Sequence, residues 1–264
     1  MKLGVIGLGN MATAMIGGIV KAGVFAPSDI AGSDAAPSQR DKAKESLKID
    51  TCEDNREVVK ISDYLILAVK PQIYETVLDQ IKDVVKKDQV VISIAPGKTL
   101  EYLGGKLGSG TKIVRLMPNT PALVGEGCTG VCRNGNVTDD EFGLVMKMLL
   151  GFGKAFEVKE GQMDAVVAVS GSSPAYVFML IDAMADGAVA EGLDRATAIK
   201  MAAQAVLGSA KMVLETGKHP GQLKDMVCSP AGTTIDAVAV LEEAGFRGSV
   251  IDAMSACAEK SRKI

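Results

Sequence analysis

The first stretch suited to binding a charged ligand is Gly7-Leu8-Gly9-Asn10-Met11-Ala12, which lies between a short apolar run and a helical one. Gly7 allows a tight turn, Gly9 allows the backbone to approach a pyrophosphate, and the small Ala12 allows close packing of helix on strand. The N–H groups at the helix start would hold the anion. In this context the pattern G-x-G-x-x-A predicts dinucleotide binding, against the alternative of a purely structural glycine turn. The predicted contacts are Ile6, Gly7, Leu8, Gly9, Asn10 and Met11.

The residues that follow the second apolar run bear on which dinucleotide is bound. Asp34 would accept a hydrogen bond from a ribose hydroxyl and repel a 2′-phosphate, which favours NADH. Ser33, Ser38 and Arg40 could instead hold a phosphate, so NADPH stays open. A third reading of Asp34 is that it caps the helix that follows.

Further cofactor contacts are predicted where later strands end, because ligands of open α/β sheets collect at the carboxyl ends of the strands. These positions are Asn55, Ala68, Val69, Lys70, Pro71, Ile94, Ala95 and Pro96. Lys70 could face a phosphate or a ribose, although its alternative is a lysine that is only solvated.

A second anion-binding stretch, Ser229-Pro230-Ala231-Gly232-Thr233-Thr234, lies between two predicted helices. The hydroxyl of Ser229 and the backbone N–H groups of Gly232, Thr233 and Thr234 can all donate to an anion at a helix start. This chemistry suits a carboxylate.

Two kinds of periodicity divide the chain. Up to about residue 160, β-rich runs near 3–6, 29–33, 64–69, 90–95 and 112–117 alternate with helical stretches. Their continuous apolar character predicts strands that are covered on both faces. We therefore predict an α/β fold, with a doubly wound, Rossmann-type parallel sheet as a dinucleotide-binding domain over residues 1–160.

Helical spacing prevails over residues 161–264, which we predict to be an all-helical domain for dimerisation and substrate binding. Asp194 can cap one of its helices and Gly217 can end it. The segment from Ala175 to Glu191 is apolar over most of its circumference, as in a helix buried in a bundle or between subunits. We expect a homodimer, and the alternative is a monomer with an ordinary helical core.

The composition argues against several classes of partner. Lys and Arg total 29 against 32 Asp and Glu, and the net charge of -3 offers no positive field to hold a nucleic acid. No apolar run approaches the roughly 18–20 residues that span a bilayer, and glycines interrupt any N-terminal export signal. Five scattered cysteines without a CxxC pair favour neither disulfides nor a metal site. The expected compartment is the cytoplasm, without a membrane partner.

Five stretches, in the family's order, resemble pyrroline-5-carboxylate reductases. They are GLGNMA, LAVKPQ at 67–72, MPNTPALV at 117–124, SGSSPAYVF at 170–178 and HPGQLKDMVCSPAGTTIDAV at 219–238. The resemblance implies reduction of the cyclic imine L-1-pyrroline-5-carboxylate to L-proline with NADPH or NADH, the last step of proline synthesis. It also implies a dinucleotide-binding domain followed by a helical domain that interlocks into a dimer, which assembles further in many members.

The same resemblance assigns substrate binding to Ser229, Gly232, Thr233 and Thr234. Thr234 matches the threonine whose hydroxyl faces the imine nitrogen, which makes it the predicted catalytic residue. Because a threonine hydroxyl is a poor acid, the proton would already be on the substrate or arrive through water. Glu160 matches an acidic position near the substrate in some relatives, and a structural role is its alternative.

Some residues near these stretches carry weaker expectations. Ala231 and Ser173 stand where many relatives have glycine, and Met226 stands where some have asparagine near the cofactor. His219, the one histidine, precedes Pro220 at a predicted helix start, so we expect it to cap that helix rather than to catalyse.

Two other functions stay open. A hydroxyacid dehydrogenase also begins with a loop like GLGNMA, but it would need a lysine-bearing catalytic helix, and the run from Ser170 to Phe178 contains no lysine. The second is a dinucleotide-binding regulatory protein without turnover.

Overall fold

An eight-stranded sheet is the centre of the N-terminal part of the computed structural model, which describes residues 1–263. The strands are β1 Leu3–Ile6, β2 Ile30–Ser33, β3 Asp50–Cys52, β4 Tyr64–Leu67, β5 Val90–Ser93, β6 Lys112–Met117, β7 Gly127–Arg133 and β8 Gly153–Glu157. Their order across the sheet is β3-β2-β1-β4-β5-β6-β7-β8. The order reverses direction between β1 and β4, which is the position where doubly wound sheets bind ligands.

The sheet is mostly parallel, as the sequence predicts. The exception is the antiparallel pairing of β6 with β7. These two strands are joined through a short 3₁₀ turn, Thr120–Val124, rather than through a crossover helix, and a short connection suits antiparallel neighbours. The five predicted strands are confirmed.

Three strands, β3, β7 and β8, were not predicted from the sequence. β3 has three residues, none of them fully buried, and β7 contains two glycines, so neither shows a strong apolar run. β8 is mostly exposed at the sheet edge. Their pairing with neighbouring strands, rather than their own sequence, makes them strands.

Helices cover both faces of the sheet. They are α1 Asn10–Lys21, α2 Pro37–Leu47, α3 Asn55–Ile61, α4 Tyr74–Ile81, α5 Leu100–Leu107, α6 Asp139–Leu150 and α7 Met163–Val166. Apolar residues of α1 and α6 form one buried layer with the sheet, and those of α3, α4 and α5 form a second layer on it. Every residue of β1, β2, β4 and β5 is buried, which explains their uninterrupted apolar sequences.

The rest of the chain is helical. Its helices are α8 Ser173–Ala190, α9 Arg195–Thr216, α10 Pro220–Val227, α11 Thr233–Glu243 and α12 Phe246–Ser261. The predicted bounds of α9 are confirmed: the Asp194 side chain accepts a hydrogen bond from the Thr197 amide at 3.0 Å, and Gly217 ends the helix with a left-handed φ of 64°.

The chain forms two compact units. The first contains Met1–Ser172 together with the last turns of α12 from Cys257, and the second contains Ser173–Ala256. The last turns of α12 join the first unit because Ser261 Oγ donates to Asp164 at 2.6 Å.

The units differ from the predicted domains by the segment 161–172 and by the end of α12. In this segment Met163 and Val166 pack against Cys132 of β7, and a π-helical turn, Val167–Gly171, follows. The functional division after residue 160 stays a prediction.

Candidate active site

Two amides of the glycine loop after β1 donate hydrogen bonds to residues at the end of β2. Gly7 N donates to Ser33 O at 2.8 Å, and Leu8 N donates to Asp34 Oδ2 at 2.8 Å. Gly7 has a φ of +90°, and a Cβ there would lie 2.9 Å from the Ala68 backbone. The turn therefore requires glycine at position 7. The Leu8 side chain is buried in the core, so only its backbone belongs to the loop.

Gly9 leaves the start of α1 open to a ligand. It is the N-cap of the helix, and no side chain caps the first amides there. A Cβ at Gly9 would meet no atom within 4 Å, so the space beside it is free for an anion. Asn10 is exposed and Met11 is half-buried at the same helix start. This arrangement fits a pyrophosphate, which would bind to the free amides and the positive end of the helix dipole.

Asp34 has two backbone partners. Its Oδ2 accepts from Leu8 N, as described above, and its Oδ1 accepts from Ala36 N at 2.9 Å, directly before α2. The carboxylate thus holds the glycine loop. It also accepts from an amide at the start of α2, in line with the alternative that Asp34 caps this helix. Arg40 donates to the carbonyl oxygens of Asp34 and Ala35 at 2.7 and 3.1 Å.

The hydroxyl of Ser33 is not directed to a phosphate. Ser33 is fully buried, and its Oγ donates to Asn55 Oδ1 at 2.7 Å. Asn55 Nδ2 in turn donates to Gln80 Oε1 at 2.8 Å. These hydrogen bonds orient Asn55 beside the end of β2.

A cavity of about 270 Å³ brings together six of the predicted cofactor residues. They are Ile6, Gly7, Ser33, Asp34, Asn55 and Val69. Its other wall is a face of α4 and the preceding turn that the sequence analysis missed. Ile73, Thr76, Val77 and Gln80 form this face. Their spacing, i, i+3, i+4 and i+7, places them on one side of a helix. This spacing was the sequence signal that could have identified the wall.

The remaining predicted cofactor residues lie at the ends of β4 and β5. Ala68 N donates to Ile6 O at 2.8 Å, and Ile94 N donates to Leu67 O at 3.3 Å. Lys70 is exposed, Ala95 is buried, and Pro71 and Pro96 are half-buried. Since these loops follow adjacent parallel strands, they lie along the same edge of the sheet.

A larger hollow, of about 500 Å³, lies at the outer strand β3 and is lined by residues of β3 and α3. None of the predicted cofactor residues lines it. The smaller cavity fits the predicted cofactor site better, because it lies at the strand ends beside the glycine loop.

The predicted substrate loop directly precedes α11. Gly232 is the N-cap of this helix, and no side chain caps its first amides. The amide of Gly232 donates to Ser229 O at 3.1 Å, which closes the turn and leaves the amides of Thr233 and Thr234 as the donors of the helix start. Ser229, Thr233 and Thr234 are exposed. The loop can bind a carboxylate.

Ala231 within this loop has a φ of +56°, in the left-handed region that favours glycine. A glycine, which the family resemblance implies is the commoner residue at this position, would adopt this conformation without strain. The alanine narrows the range of backbone conformations and removes no donor.

Glu160 is held inside the first unit. Its Oε1 accepts from Leu100 N at 2.7 Å and from Arg115 Nη1 at 3.1 Å, and the Arg115 side chain is only 8% exposed. Burial, followed by the charge of Glu160, raises the pKa of the neighbouring Cys132 thiol to about 11. This geometry favours the structural alternative for Glu160, and its contact with substrate stays a prediction.

His219 caps α10, as the sequence predicts. Its Nδ1 accepts from Gly221 N at 3.1 Å, and Gln222 Oε1 accepts from the His219 amide at 3.3 Å. The imidazole ring therefore acts as the N-cap of α10.

Two family models match the chain. Residues 160–264 match the model described as pyrroline-5-carboxylate reductase dimerisation, and residues 2–97 match the model described as NADP oxidoreductase, coenzyme F420-dependent.

Individual relatives match over the full length. The pyrroline-5-carboxylate reductase of Escherichia coli (strain K12) is 51% identical over 263 residues, which cover 100% of this chain and 98% of the relative. The structure of a pyrroline-5-carboxylate reductase from Coxiella burnetii has a TM-score of 0.92 and 35% identity, covering 99% and 97% of the two chains. That of the Plasmodium falciparum pyrroline carboxylate reductase with NADP bound has a TM-score of 0.90 and 34% identity, covering 100% and 97%. The chain therefore belongs to the pyrroline-5-carboxylate reductase family of NAD(P)H-dependent oxidoreductases.

Proposed function

We propose that this chain reduces L-1-pyrroline-5-carboxylate to L-proline in proline biosynthesis, with NADH or NADPH as the hydride donor. The observation that carries the proposal is the 51% identity to the E. coli reductase, which extends over both units. The glycine loop alone would support only dinucleotide binding.

The residues of the first unit suit a dinucleotide. The free amides at the start of α1 would hold the pyrophosphate, and Asp34 and Asn55 border the cavity beside the glycine loop. When bound, the cofactor supplies the hydride that reduces the C=N carbon.

The loop of the second unit would hold the substrate. The Ser229 hydroxyl and the amides of Thr233 and Thr234 donate hydrogen bonds to the substrate carboxylate. The Thr234 hydroxyl forms a hydrogen bond with the ring nitrogen. The nitrogen enters already protonated or gains its proton through water, because threonine is a poor acid. The protein contributes orientation and polarisation of the C=N bond.

Within this proposal Asp34 favours NADH, because its carboxylate would repel a 2′-phosphate. The P. falciparum relative was solved with NADP bound, so the preference needs its own measurement. Steady-state kinetics with both cofactors provide it. A strong preference for NADPH would contradict the role given to Asp34.

We propose a homodimer formed through the helical unit. On α8, Phe178 is 62% exposed and Met179 is 73% exposed in the single chain, and the dimerisation model covers this segment. Apolar side chains at such exposure are typical of an interface.

The helical stretch Glu160–Ala190 is also long and apolar enough, by length and composition alone, to cross a membrane. The sequence did not lead us to expect such a stretch, because charged residues such as Asp182 interrupt its apolar runs. A helix face that is covered by a second copy is shielded from water, as a membrane span is, and is apolar for that reason. We therefore favour the dimer over a membrane span. A cytoplasmic location is consistent with the five free cysteines.

Oxidation of NADH and NADPH, followed by absorbance, tests the proposed reaction directly. We expect turnover with pyrroline-5-carboxylate and none with a hydroxyacid and the oxidised cofactor. Turnover of the hydroxyacid alone would indicate a dehydrogenase. Dinucleotide binding without turnover of either compound would indicate a regulatory protein.

A further inference from the structure

We propose that Tyr74 is a positioning residue for the dinucleotide, because its buried hydroxyl joins the ends of β4 and β5 to the helix that walls the cofactor cavity. The inference rests on the dinucleotide-binding part of the proposed function. It adds a residue that lies outside both the glycine loop and the substrate loop.

The hydroxyl group of Tyr74 bridges two adjacent strands. It donates to Leu67 O at 3.2 Å and lies 2.7 Å from Ser93 Oγ. A phenol has one proton, and the Leu67 carbonyl accepts it, so the Ser93 hydroxyl donates to the phenolic oxygen. Leu67 O also accepts from the backbone amide of Ile94, at 3.3 Å. Leu67 is the last residue of β4 and Ser93 is the last residue of β5.

The bridge therefore ends at the two loops that contain predicted cofactor contacts. Ala68 directly follows Leu67, and Ile94 directly follows Ser93. Tyr74 is 1% exposed and Ser93 is fully buried, so water cannot replace a lost partner without a structural change.

Tyr74 is also the first residue of α4. The neighbouring residues Ile73, Thr76, Val77 and Gln80 line the cavity, while the Tyr74 side chain is buried in the apolar layer on the sheet. The tyrosine thus fastens the start of the helix to the strand ends. A shift of this helix would move the cavity wall and the Gln80 side chain that orients Asn55.

The substitution Tyr74→Phe keeps the ring that fills the core and removes only the bridging oxygen. Tyr64→Phe is a matched control, since Tyr64 is 6% exposed at the opposite end of the same strand β4. Both variants lose one phenolic hydroxyl from a buried ring. Only the first loses it at the strand ends next to the cavity.

The test measures dissociation constants for NADH and NADPH by fluorescence titration without substrate, together with melting temperatures and kinetics. We expect Tyr74→Phe to raise both dissociation constants roughly fivefold to tenfold. At saturating cofactor, kcat and the KM for pyrroline-5-carboxylate should change less than about twofold. Tyr64→Phe should leave both dissociation constants at the wild-type values, even if it melts earlier.

Ser93→Ala removes the other hydroxyl of the bridge and tests the same proposal if Tyr74→Phe folds poorly. It should raise the dissociation constants similarly, and the double variant should add little, because the two hydroxyls act as one unit. Wild-type affinity in Tyr74→Phe or Ser93→Ala, or an equal loss in Tyr64→Phe, would overturn the proposal. A wild-type protein that binds neither dinucleotide would instead overturn the proposed function.

Discussion

At the scale of single residues, the two glycines of the first loop serve different needs. Gly7 is required by its own backbone, because its φ is +90° and a Cβ would approach the Ala68 backbone. Gly9 has an ordinary φ of -72° and open space around its missing Cβ. An L-residue at position 9 is therefore compatible with the fold, and glycine is needed there only for a ligand.

This difference predicts opposite behaviour of two alanine variants. Gly9→Ala should keep the wild-type melting temperature and weaken dinucleotide binding at least about tenfold, because the methyl group occupies the pyrophosphate's approach. Gly7→Ala should lower the free energy of unfolding by about 1–3 kcal/mol. Calorimetry and cofactor titration measure both effects. Undiminished cofactor affinity in Gly9→Ala would contradict the assigned pyrophosphate site.

Thr234 and Thr233 form a second matched pair. Thr234→Val should lower kcat by at least about tenfold and leave the dissociation constant for NADH unchanged, because only the hydroxyl contact with the imine nitrogen is lost. Thr233→Val should retain most activity, since its proposed contact uses the backbone amide. Single-turnover and steady-state kinetics compare the two. Wild-type turnover in Thr234→Val would remove this residue from the mechanism.

At the scale of elements, two helices combine an uncapped start with glycine at the N-cap. Side chains cap α3, α5, α6, α9 and α10. The helices α1 and α11 begin at Gly9 and Gly232 without such a cap. The helices α2, α4 and α7 also lack one, but their N-cap residues carry side chains: Ala36, Ile73 and Gln162. At the glycine starts of α1 and α11 no N-cap side chain stands between the first amides and a ligand, and these amides would form the proposed pyrophosphate and carboxylate sites.

The start of α6 has a purely structural cap with a pH dependence. Thr138 and Glu141 form a capping box, and Lys112 Nζ of β6 lies 2.6 Å from Glu141 Oε1. Burial opposes ionisation of this carboxyl, but the hydrogen bonds from Lys112 and Thr138 outweigh it and lower the pKa of Glu141. Its stabilising contribution is therefore present above the unfolded-state pKa and is lost as the pH falls through the lower, folded-state pKa.

We expect Glu141→Gln to lower the free energy of unfolding by about 1 kcal/mol at neutral pH, since the pair is only partly screened by solvent. The difference from wild type should shrink below about pH 4, where the carboxylate becomes protonated in both folded and unfolded chains. Chemical denaturation over a pH series measures this. Asp140→Asn, in the same first turn, is the control. A difference that does not vary with pH would contradict the ion-pair explanation.

At the scale of the whole molecule, the two units differ in how they bury apolar surface. The first unit encloses both faces of its sheet. In the second unit, large apolar side chains of α8, α9, α11 and α12 remain exposed in the single chain. Residues 160–264 match a family model described as dimerisation, and the proposed homodimer would cover these side chains.

The substitution Met179→Asp tests that explanation. Met179 is 73% exposed on α8, and an aspartate there would have to be buried without a partner in a dimer. We expect light scattering to show a dimer, or an assembly of dimers, for the wild type and a smaller species for the variant. Ile61→Asp, at a residue of α3 that is 54% exposed, should leave the mass unchanged. An unchanged mass for Met179→Asp would place the interface elsewhere.

Local sequence patterns determined much of this protein. Continuous apolar runs identified the strands β1, β2, β4, β5 and β6, Asp194 and Gly217 bounded α9, and the order of the family stretches identified the reductase family. The apolar runs and the residues that bound α9 are local signals, because backbone preferences and side-chain periodicity act over a few residues of chain.

The tertiary structure alone decided which distant groups became partners. Asp34 is hydrogen-bonded to Leu8, Glu160 to Leu100 and Arg115, and Tyr74 to Ser93. The partners in each pair are distant in the sequence and are brought together by the fold. The same is true of the weakly apolar strands β3, β7 and β8, which became strands by pairing with their neighbours. Hydrogen bonds between elements depend on strand order and register, and no local propensity encodes these.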